Sequence, residues 1–159
     1  MPTPAPFFHN TASAPRINLA GDIYAILATG KETNGAYAAF EFIVPPGGGP
    51  PPHTHSREDE MFYVIEGELV FTVAGQRTTA PAGTFVHAVR NVPHFFRNES
   101  MSRARALVWV QPAGLDEFFL AVGRPIGPND GAHPPTPEEV AKLIQLAPTY
   151  GVTLDLGHH

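Results

Sequence analysis

Residues 47–67 read GGGPPPHTHSREDEMFYVIEG, and the fold and function of the chain depend mainly on this stretch. His53 and His55 stand two positions apart, and such side chains point to the same face of a strand. Both imidazoles can therefore reach one metal ion. Glu60 opens the apolar segment 61–65, and a carboxylate that points inward at the start of such a strand needs a partner, which a bound cation would supply.

A third histidine, His94, opens the segment HFFRN at residues 94–98, directly after a turn at residues 91–93. Three imidazoles and one carboxylate form a nitrogen and oxygen donor set that suits one divalent transition metal ion, whether iron, nickel, manganese, cobalt, copper or zinc. Four protein ligands on an octahedral ion leave open positions for a substrate or dioxygen, and open positions distinguish a catalytic site from a structural one.

Composition limits the classes of protein to which the chain can belong. Its 159 residues suit one domain, and 18 prolines with 15 glycines indicate a turn-rich, mostly β protein. The absence of cysteine excludes a disulfide framework and thiolate zinc sites. A net charge of -5 without a basic cluster argues against nucleic acid as a partner. Because neither a signal peptide nor a long apolar run is evident, we expect a cytoplasmic protein that is not bound to a membrane.

Short apolar segments separated by turn residues run from Gly21 to about Gln111, which is typical of an all-β barrel or sandwich. The predicted strands cover residues 22–29, 36–44, 60–66, 68–73, 84–88, 94–98 and 104–110. We divide the chain into an N-terminal arm at 1–20, a barrel at 21–112 and a helical extension at 113–159. The arm could reach across the interface of a homodimer. His158 and His159 are assigned no role.

Two short helices are predicted in the extension. Leu115, Phe118, Phe119 and Val122 have helical spacing, and Gly123 is placed to end that helix. Residues 136–139 read TPEE, a capping-box pattern with proline at the first helical position, and Pro148 stops the second helix. We expect both helices to pack on the outside of the barrel as structural cover.

The residues around the four candidate ligands resemble the two sequence motifs of the cupin superfamily. The first motif is matched by Gly47, His53, His55, Glu60 and Gly67, and the second by Gly83, Pro93, His94 and Asn98. Two positions, Val89 and Asn91, depart from the usual proline and glycine, and they affect a turn rather than the ligands. The resemblance implies a single jelly-roll barrel that holds one metal ion through His53, His55, Glu60 and His94.

Segments 46–53, 57–60 and 83–86 more narrowly resemble the quercetin 2,3-dioxygenase-like branch. This implies a dioxygenase that acts on an enolisable or flavonol-like aromatic small molecule, with Glu60 as general base and dioxygen as a second substrate. Phe62 and Phe96 each stand two residues beyond a ligand, so strand alternation places them on the ligand face as candidate substrate contacts.

Two other functions stay open. One alternative is a metal-dependent isomerase, epimerase or lyase acting on sugars or keto acids, although the predicted strands carry almost no Lys or Arg to bind a phosphate or carboxylate. The other is a cupin that binds a small ligand without turnover.

His87 is interpreted as a wall or surface residue, and residues 57–59 as a solvated loop.

Overall fold

Two antiparallel β-sheets pack face to face around one core in the structure, a computed structural model that describes residues 3–157. His158 and His159 lie outside the described residues, as do the first two residues of the chain. The two sheets confirm the predicted all-β barrel.

Within residues 3–157, twelve strands form the two sheets. The larger sheet contains β1 (Arg16–Leu19), β2 (Asp22–Ala28), β3 (Ala38–Val44), β5 (Asp59–Glu66), β8 (Phe85–Ala88), β10 (Ala104–Gln111) and β11 (Arg124–Ile126). The smaller sheet contains β4 (His53–His55), β6 (Glu68–Val73), β7 (Gln76–Pro81), β9 (His94–Arg97) and β12 (Val152–Leu154). Neighbouring strands are ordered β11-β1-β2-β3-β10-β5-β8 in the larger sheet and β12-β4-β9-β6-β7 in the smaller. Because the chain passes repeatedly from one sheet to the other, the barrel is of the jelly-roll type.

Strand β10 shows why these sequences form half-buried strands. Its alternate residues Ala104, Ala106, Val108 and Val110 are completely buried, whereas the residues between them are partly exposed. This period of two is the pattern of a strand that presents one face to a core and the other to solvent. Strand β10 lies between β3 and β5, so it is central to the larger sheet.

The two predicted helices are present at the predicted places. Helix α1 spans Leu115–Val122 and ends at Gly123, while helix α2 spans Pro137–Leu146 and continues into a 3₁₀ turn at Ala147–Tyr150. Thr136 and Glu139 form the reciprocal capping box that the sequence predicts. Within residues 3–157, no helix is long and apolar enough to cross a membrane.

The extension contributes two strands to the sheets in addition to the two predicted helices. After α2 the chain returns as β12 and adds a strand to the smaller sheet beside β4, where Val152 pairs with His55 and Leu154 with His53. Strand β11 likewise pairs with β1, which itself lies within the predicted arm. From α1, which also belongs to the extension, Phe118 and Phe119 pack into the core.

Candidate metal centre

Three strands bring the four candidate ligands together. Strands β4 and β9 are neighbours in the smaller sheet, where His53 of β4 pairs directly with His94 of β9. His55 lies two residues further along β4, and Glu60 projects from β5 of the facing sheet. One donor atom from each of the four side chains lies within 4.8 Å of the other three. Residues that are far apart in the sequence therefore converge on one point between the sheets.

A glycine loop fixes the position of β9 and hence of His94. The backbone NH of Gly47 donates to the carbonyl of Asn98 (2.7 Å), and the NH of Asn98 donates to the carbonyl of Gly48 (2.9 Å). At Gly49, where φ is +135°, a β-carbon would collide with the carbonyl oxygen of Phe96. The close backbone approach requires glycine at this position.

The fully buried side chain of Asn98 ties the end of β9 to the barrel. Its Nδ2 donates to the carbonyls of Val44 (2.9 Å) and Ser102 (2.8 Å). The histidine and asparagine that stand four positions apart thus have different tasks, because His94 faces the ligand cluster while Asn98 holds the strand that carries it.

Backbone carbonyls orient two of the imidazoles. Nδ1 of His53 donates to the carbonyl of Pro51 (2.8 Å), and Nδ1 of His94 donates to the carbonyl of Val92 (3.0 Å). A carbonyl can only accept, so each Nδ1 carries the proton and each Nε2 is available as the ligand atom when the ring is neutral. This arrangement fits a metal ion that is bound by three imidazoles and a carboxylate.

Glu60 is the electrostatic centre of the cluster. Nε2 of His55 and Nε2 of His94 each donate to Oε2 of Glu60, both at 3.0 Å. Since Nδ1 of His94 also donates, His94 is an imidazolium in this arrangement, and a metal ion would take the place of its Nε2 proton. Burial by itself would raise the pKa of Glu60, but these hydrogen bonds outweigh it and hold the pKa well below its usual range. The carboxylate is therefore anionic, which is the state needed to bind a cation.

The other ligand groups respond to the same surroundings. Burial, together with the neighbouring His55 and His94, lowers the pKa of His53 to about 3 and keeps this imidazole neutral. Burial also opposes the charged form of His94, but its hydrogen bond to Glu60 outweighs that effect and raises its pKa.

A small apolar cavity of about 50 Å³ opens onto His53, His55 and Glu60. Phe62 and Phe96 lie in its wall and are almost completely buried, as strand alternation predicts for the ligand face, while Tyr63 points outward. The other described lining side chains are apolar except for Tyr24; they are Leu19, Ala20, Phe42, Pro50, Pro51, Phe118, Phe119, Leu143, Val152 and Leu154. The C-terminal extension therefore forms one wall of the cavity.

In a comparison with protein families, residues 40–110 match the cupin domain. This match agrees with the two motifs, the double sheet and the convergent ligand cluster. The chain contains a cupin domain. The motif resemblance is thereby confirmed at the level of the superfamily.

Solved structures share the fold at low sequence identity. The chain is similar to KdgF from Halomonas sp. (TM-score 0.62, 19% identity, 71% of this chain and 98% of that chain). It is also similar to an RmlC-like cupin from Shewanella frigidimarina (TM-score 0.62, 20% identity, 71% of this chain and 96% of that chain). Such identities show the fold alone.

A relative of known activity has a similar sequence over a longer stretch. The quercetin 2,3-dioxygenase of Bacillus subtilis is 27% identical over 120 residues, which cover 76% of this chain but 35% of that protein. This cupin chain thus spans about a third of the length of the relative.

Glu58 was missed as a residue of the cupin site, since residues 57–59 were interpreted as a solvated loop. Arg57 is exposed, but Glu58 is only 2% exposed, and its Oε2 lies 4.0 Å from Nδ1 of His55. That distance is too long for a hydrogen bond, and neither of these two buried atoms has a hydrogen-bond partner among the described residues. Burial raises the pKa of Glu58. The polar sequence around Glu58 gives no signal of this burial, in which the carboxylate lies close to Gly114, far along the chain.

His87 lies on the opposite, exposed face of β8 and pairs with Met61 of β5, so it is remote from the ligand cluster. This agrees with its interpretation as a surface residue.

Proposed function

We propose that this cupin is a metal-dependent dioxygenase acting on a small, neutral, enolisable molecule. The observation that carries the proposal is the position of the ligand cluster at the end of an apolar cavity, in which Tyr24 is the only other polar side chain among the described lining residues. The ligands are His53, His55, Glu60 and His94, and the site would hold one divalent transition metal ion.

The protein contributes a proton acceptor and a dry pocket. A bound divalent ion would act as a Lewis acid, lower the pKa of a substrate hydroxyl and accept its oxygen at an open position. Glu60, an anionic carboxylate in the wall of the cavity, would take the proton of that hydroxyl. Phe62 and Phe96 would pack against the substrate and exclude water. Dioxygen is the oxidant, and both of its atoms enter the products.

The cavity argues against an isomerase or lyase acting on sugars or keto acids. Substrates with several hydroxyls, a carboxylate or a phosphate require hydrogen-bonding or cationic groups where they bind. Among the described residues that line the cavity, none is Lys, Arg, Ser, Thr, Asn or Gln. The similarity to a quercetin 2,3-dioxygenase supports the same choice, although the chain spans only about a third of that protein.

The first test is elemental analysis by inductively coupled plasma mass spectrometry on untagged protein purified without chelators. About one transition metal ion per chain is expected for the wild type and almost none for the double variant His53→Ala/His55→Ala. His87→Ala, which removes an exposed imidazole, is the matched control and should keep the metal. If no ion is retained even after anaerobic reconstitution with each candidate metal, the catalytic proposal is wrong.

The second test measures dioxygen consumption by the metal-loaded protein with flavonols and smaller enolisable diketones. Uptake should depend on the substrate and should be abolished in Glu60→Gln, which keeps the shape of the side chain but removes the base. If the variant binds metal and substrate as the wild type does, and neither protein consumes dioxygen, the chain is a binding cupin rather than an enzyme.

A further inference from the structure

A second cavity lies next to the one that holds the ligand cluster. It has a volume of about 160 Å³, and four residues line both cavities: Leu19, Ala20, Pro51 and Leu143. The two cavities are therefore neighbours that share these four side chains as a common wall. We call the cavity at the ligands the inner cavity and its neighbour the outer cavity.

The inner cavity is too small for an aromatic ring. An apolar cavity of about 150 Å³ is needed for a ligand the size of benzene, and the inner cavity has about 50 Å³. An enolisable head group can meet the metal ligands there, but a ring or chain attached to it needs further space. The outer cavity, at about 160 Å³, is large enough for one ring.

The lining of the outer cavity selects an apolar group. It is formed mainly by the aliphatic side chains of Val122, Val140, Leu143, Ile144 and Leu156. Two polar side chains, Asn18 and Glu139, reach it, but both are already engaged. Nδ2 and Oδ1 of Asn18 bond to the backbone of His133 (3.1 Å each), and Oε2 of Glu139 accepts from the NH of Thr136 (2.7 Å). Oε1 of Glu139 is also paired, at 3.7 Å from Nε of Arg124, so a hydroxylated ring would lose hydrogen bonds to water and find few unpaired partners among the described lining residues.

Leu143 is the movable part of the partition. Pro51 is rigid, Ala20 is small, and Leu19 is 6% exposed within the core. Leu143 is only partly buried and projects from α2, a helix in which no residue is fully buried. Its side chain can change rotamer at lower cost than a core side chain can, because fewer packed neighbours restrict it.

We propose that the outer cavity is a subsite for the apolar tail of the substrate, and that Leu143 determines whether the tail can enter. The substrate class is a neutral enolisable compound with one unhydroxylated ring or a short branched chain. The inference rests on the proposed function for the placement of the enolisable head. It deepens that function by assigning the size and polarity of the tail.

The test measures binding rather than turnover. Protein loaded with Zn²⁺, which has no redox chemistry, is titrated by calorimetry with three compounds: pentane-2,4-dione, 1-phenylbutane-1,3-dione and the 3,4-dihydroxyphenyl analogue of the latter. The phenyl compound should bind most tightly, and the dihydroxyphenyl analogue should bind about tenfold more weakly than it.

Substitutions at Leu143 should separate the head from the tail. Leu143→Trp should weaken binding of the phenyl compound by about tenfold or more and weaken that of pentane-2,4-dione much less, although Leu143 lines both cavities. Leu143→Ala should improve binding of the phenyl compound more than that of pentane-2,4-dione. Leu120 of α1 is 48% exposed and lines neither cavity, so Leu120→Trp is the control and should change nothing.

The outcomes distinguish the subsite from the reaction. The tail-subsite proposal is wrong, even where dioxygen is consumed, if Leu143→Trp weakens the binding of the phenyl compound and of pentane-2,4-dione by the same factor. It is also wrong if the dihydroxyphenyl analogue binds as tightly as the phenyl compound. If the size dependence is found but no loaded metal supports dioxygen consumption, the subsite stands and the dioxygenase proposal falls.

Discussion

The environment of Glu58 differs from that of every other carboxylate near the site, because it faces the outer nitrogen of a ligand. His53 and His94 donate Nδ1–H to backbone carbonyls, whereas Nδ1 of His55 has Glu58 Oε2 as its nearest acceptor, at 4.0 Å. A small rotation of either side chain, or one bridging water, would complete that contact. A carboxylate in this position orients the imidazole and makes it a stronger ligand.

Removing this carboxylate should weaken metal binding. For Glu58→Ala we expect an affinity for Zn²⁺ lower by about 10- to 100-fold, measured by competition with a chromophoric chelator. Glu58→Gln should lose less, because an amide oxygen can still accept from Nδ1. Arg57→Ala alters the exposed neighbour and serves as the control. An unchanged affinity in Glu58→Ala would show that Glu58 does not position His55.

Asp22 makes the stability of the protein depend on pH. Burial raises its pKa to about 7, against the opposing effects of the Gly49 backbone and the charge of Arg97. In the unfolded chain, the pKa of an aspartate side chain is near 3.9. Because the folded pKa is the higher one, the stabilising contribution is present at low pH and is lost as the pH rises towards about 7.

The variant Asp22→Asn is neutral at every pH and should therefore gain stability relative to the wild type as the pH rises. Urea unfolding at about pH 5 and about pH 8 should show the difference in free energy of unfolding growing by up to roughly 1.4 kcal/mol per pH unit while Asp22 titrates. A difference that stays constant between the two pH values would contradict the assignment to Asp22.

At the scale of elements, the contact between the loop 47–49 and β9 decides where His94 is placed. The loop and the strand are joined through the backbones of Gly47, Gly48 and Asn98, and Gly49 packs against the carbonyl of Phe96. The turn is thus part of the site, although it carries no ligand.

A single methyl group should disrupt this contact. Gly49→Ala places a β-carbon against the Phe96 carbonyl at a φ of +135°, and we expect it to lower the free energy of unfolding by about 2 kcal/mol or more. It should also weaken metal binding, because β9 must move. Gly131→Ala, where a β-carbon meets no atom within 4 Å, is the matched control and should change stability by less than about 0.5 kcal/mol. Equal effects of the two variants would refute the argument.

For the whole molecule, a metal ion would link the two sheets. His53, His55 and His94 belong to the smaller sheet and Glu60 to the larger, so one ion would bind only the folded barrel. Binding to the folded state alone stabilises it by mass action.

The homodimer predicted from the sequence stays a prediction, which light scattering would test.

Metal should therefore raise the melting temperature. At a free Zn²⁺ concentration about 1,000 times the dissociation constant, the gain is about 4 kcal/mol, which for a chain of this size is a shift on the order of 10 °C. Differential scanning calorimetry of the metal-free and metal-loaded protein gives the shift. The double variant His53→Ala/His55→Ala should show none; a similar shift there would mean that the stabilising ion binds elsewhere.

Much of the site could be predicted from the sequence because strand alternation, helical spacing and helix capping depend only on residues close together in the chain. The alternation of side chains along a strand relates His53 to His55, Glu60 to Phe62 and His94 to Phe96. The helices were predicted from spacing and capping at Thr136 and Gly123, and β6 was predicted over its observed range. The cupin motifs then associated His94 with the other three ligands, 34 residues beyond Glu60 in the chain.

Only the tertiary structure decided which segments lie beside that site. A three-residue strand such as β12 has no sequence signal that names its partner, and its pairing with β4 became evident only in the sheet. The same return of the chain carries Leu143 to the cavity wall, and the packing of the loop before β5 buries Glu58 in a polar stretch of sequence. Local periodicity determines which face of an element is apolar, but the choice of neighbour depends on contacts between residues far apart in the chain, which no local pattern encodes.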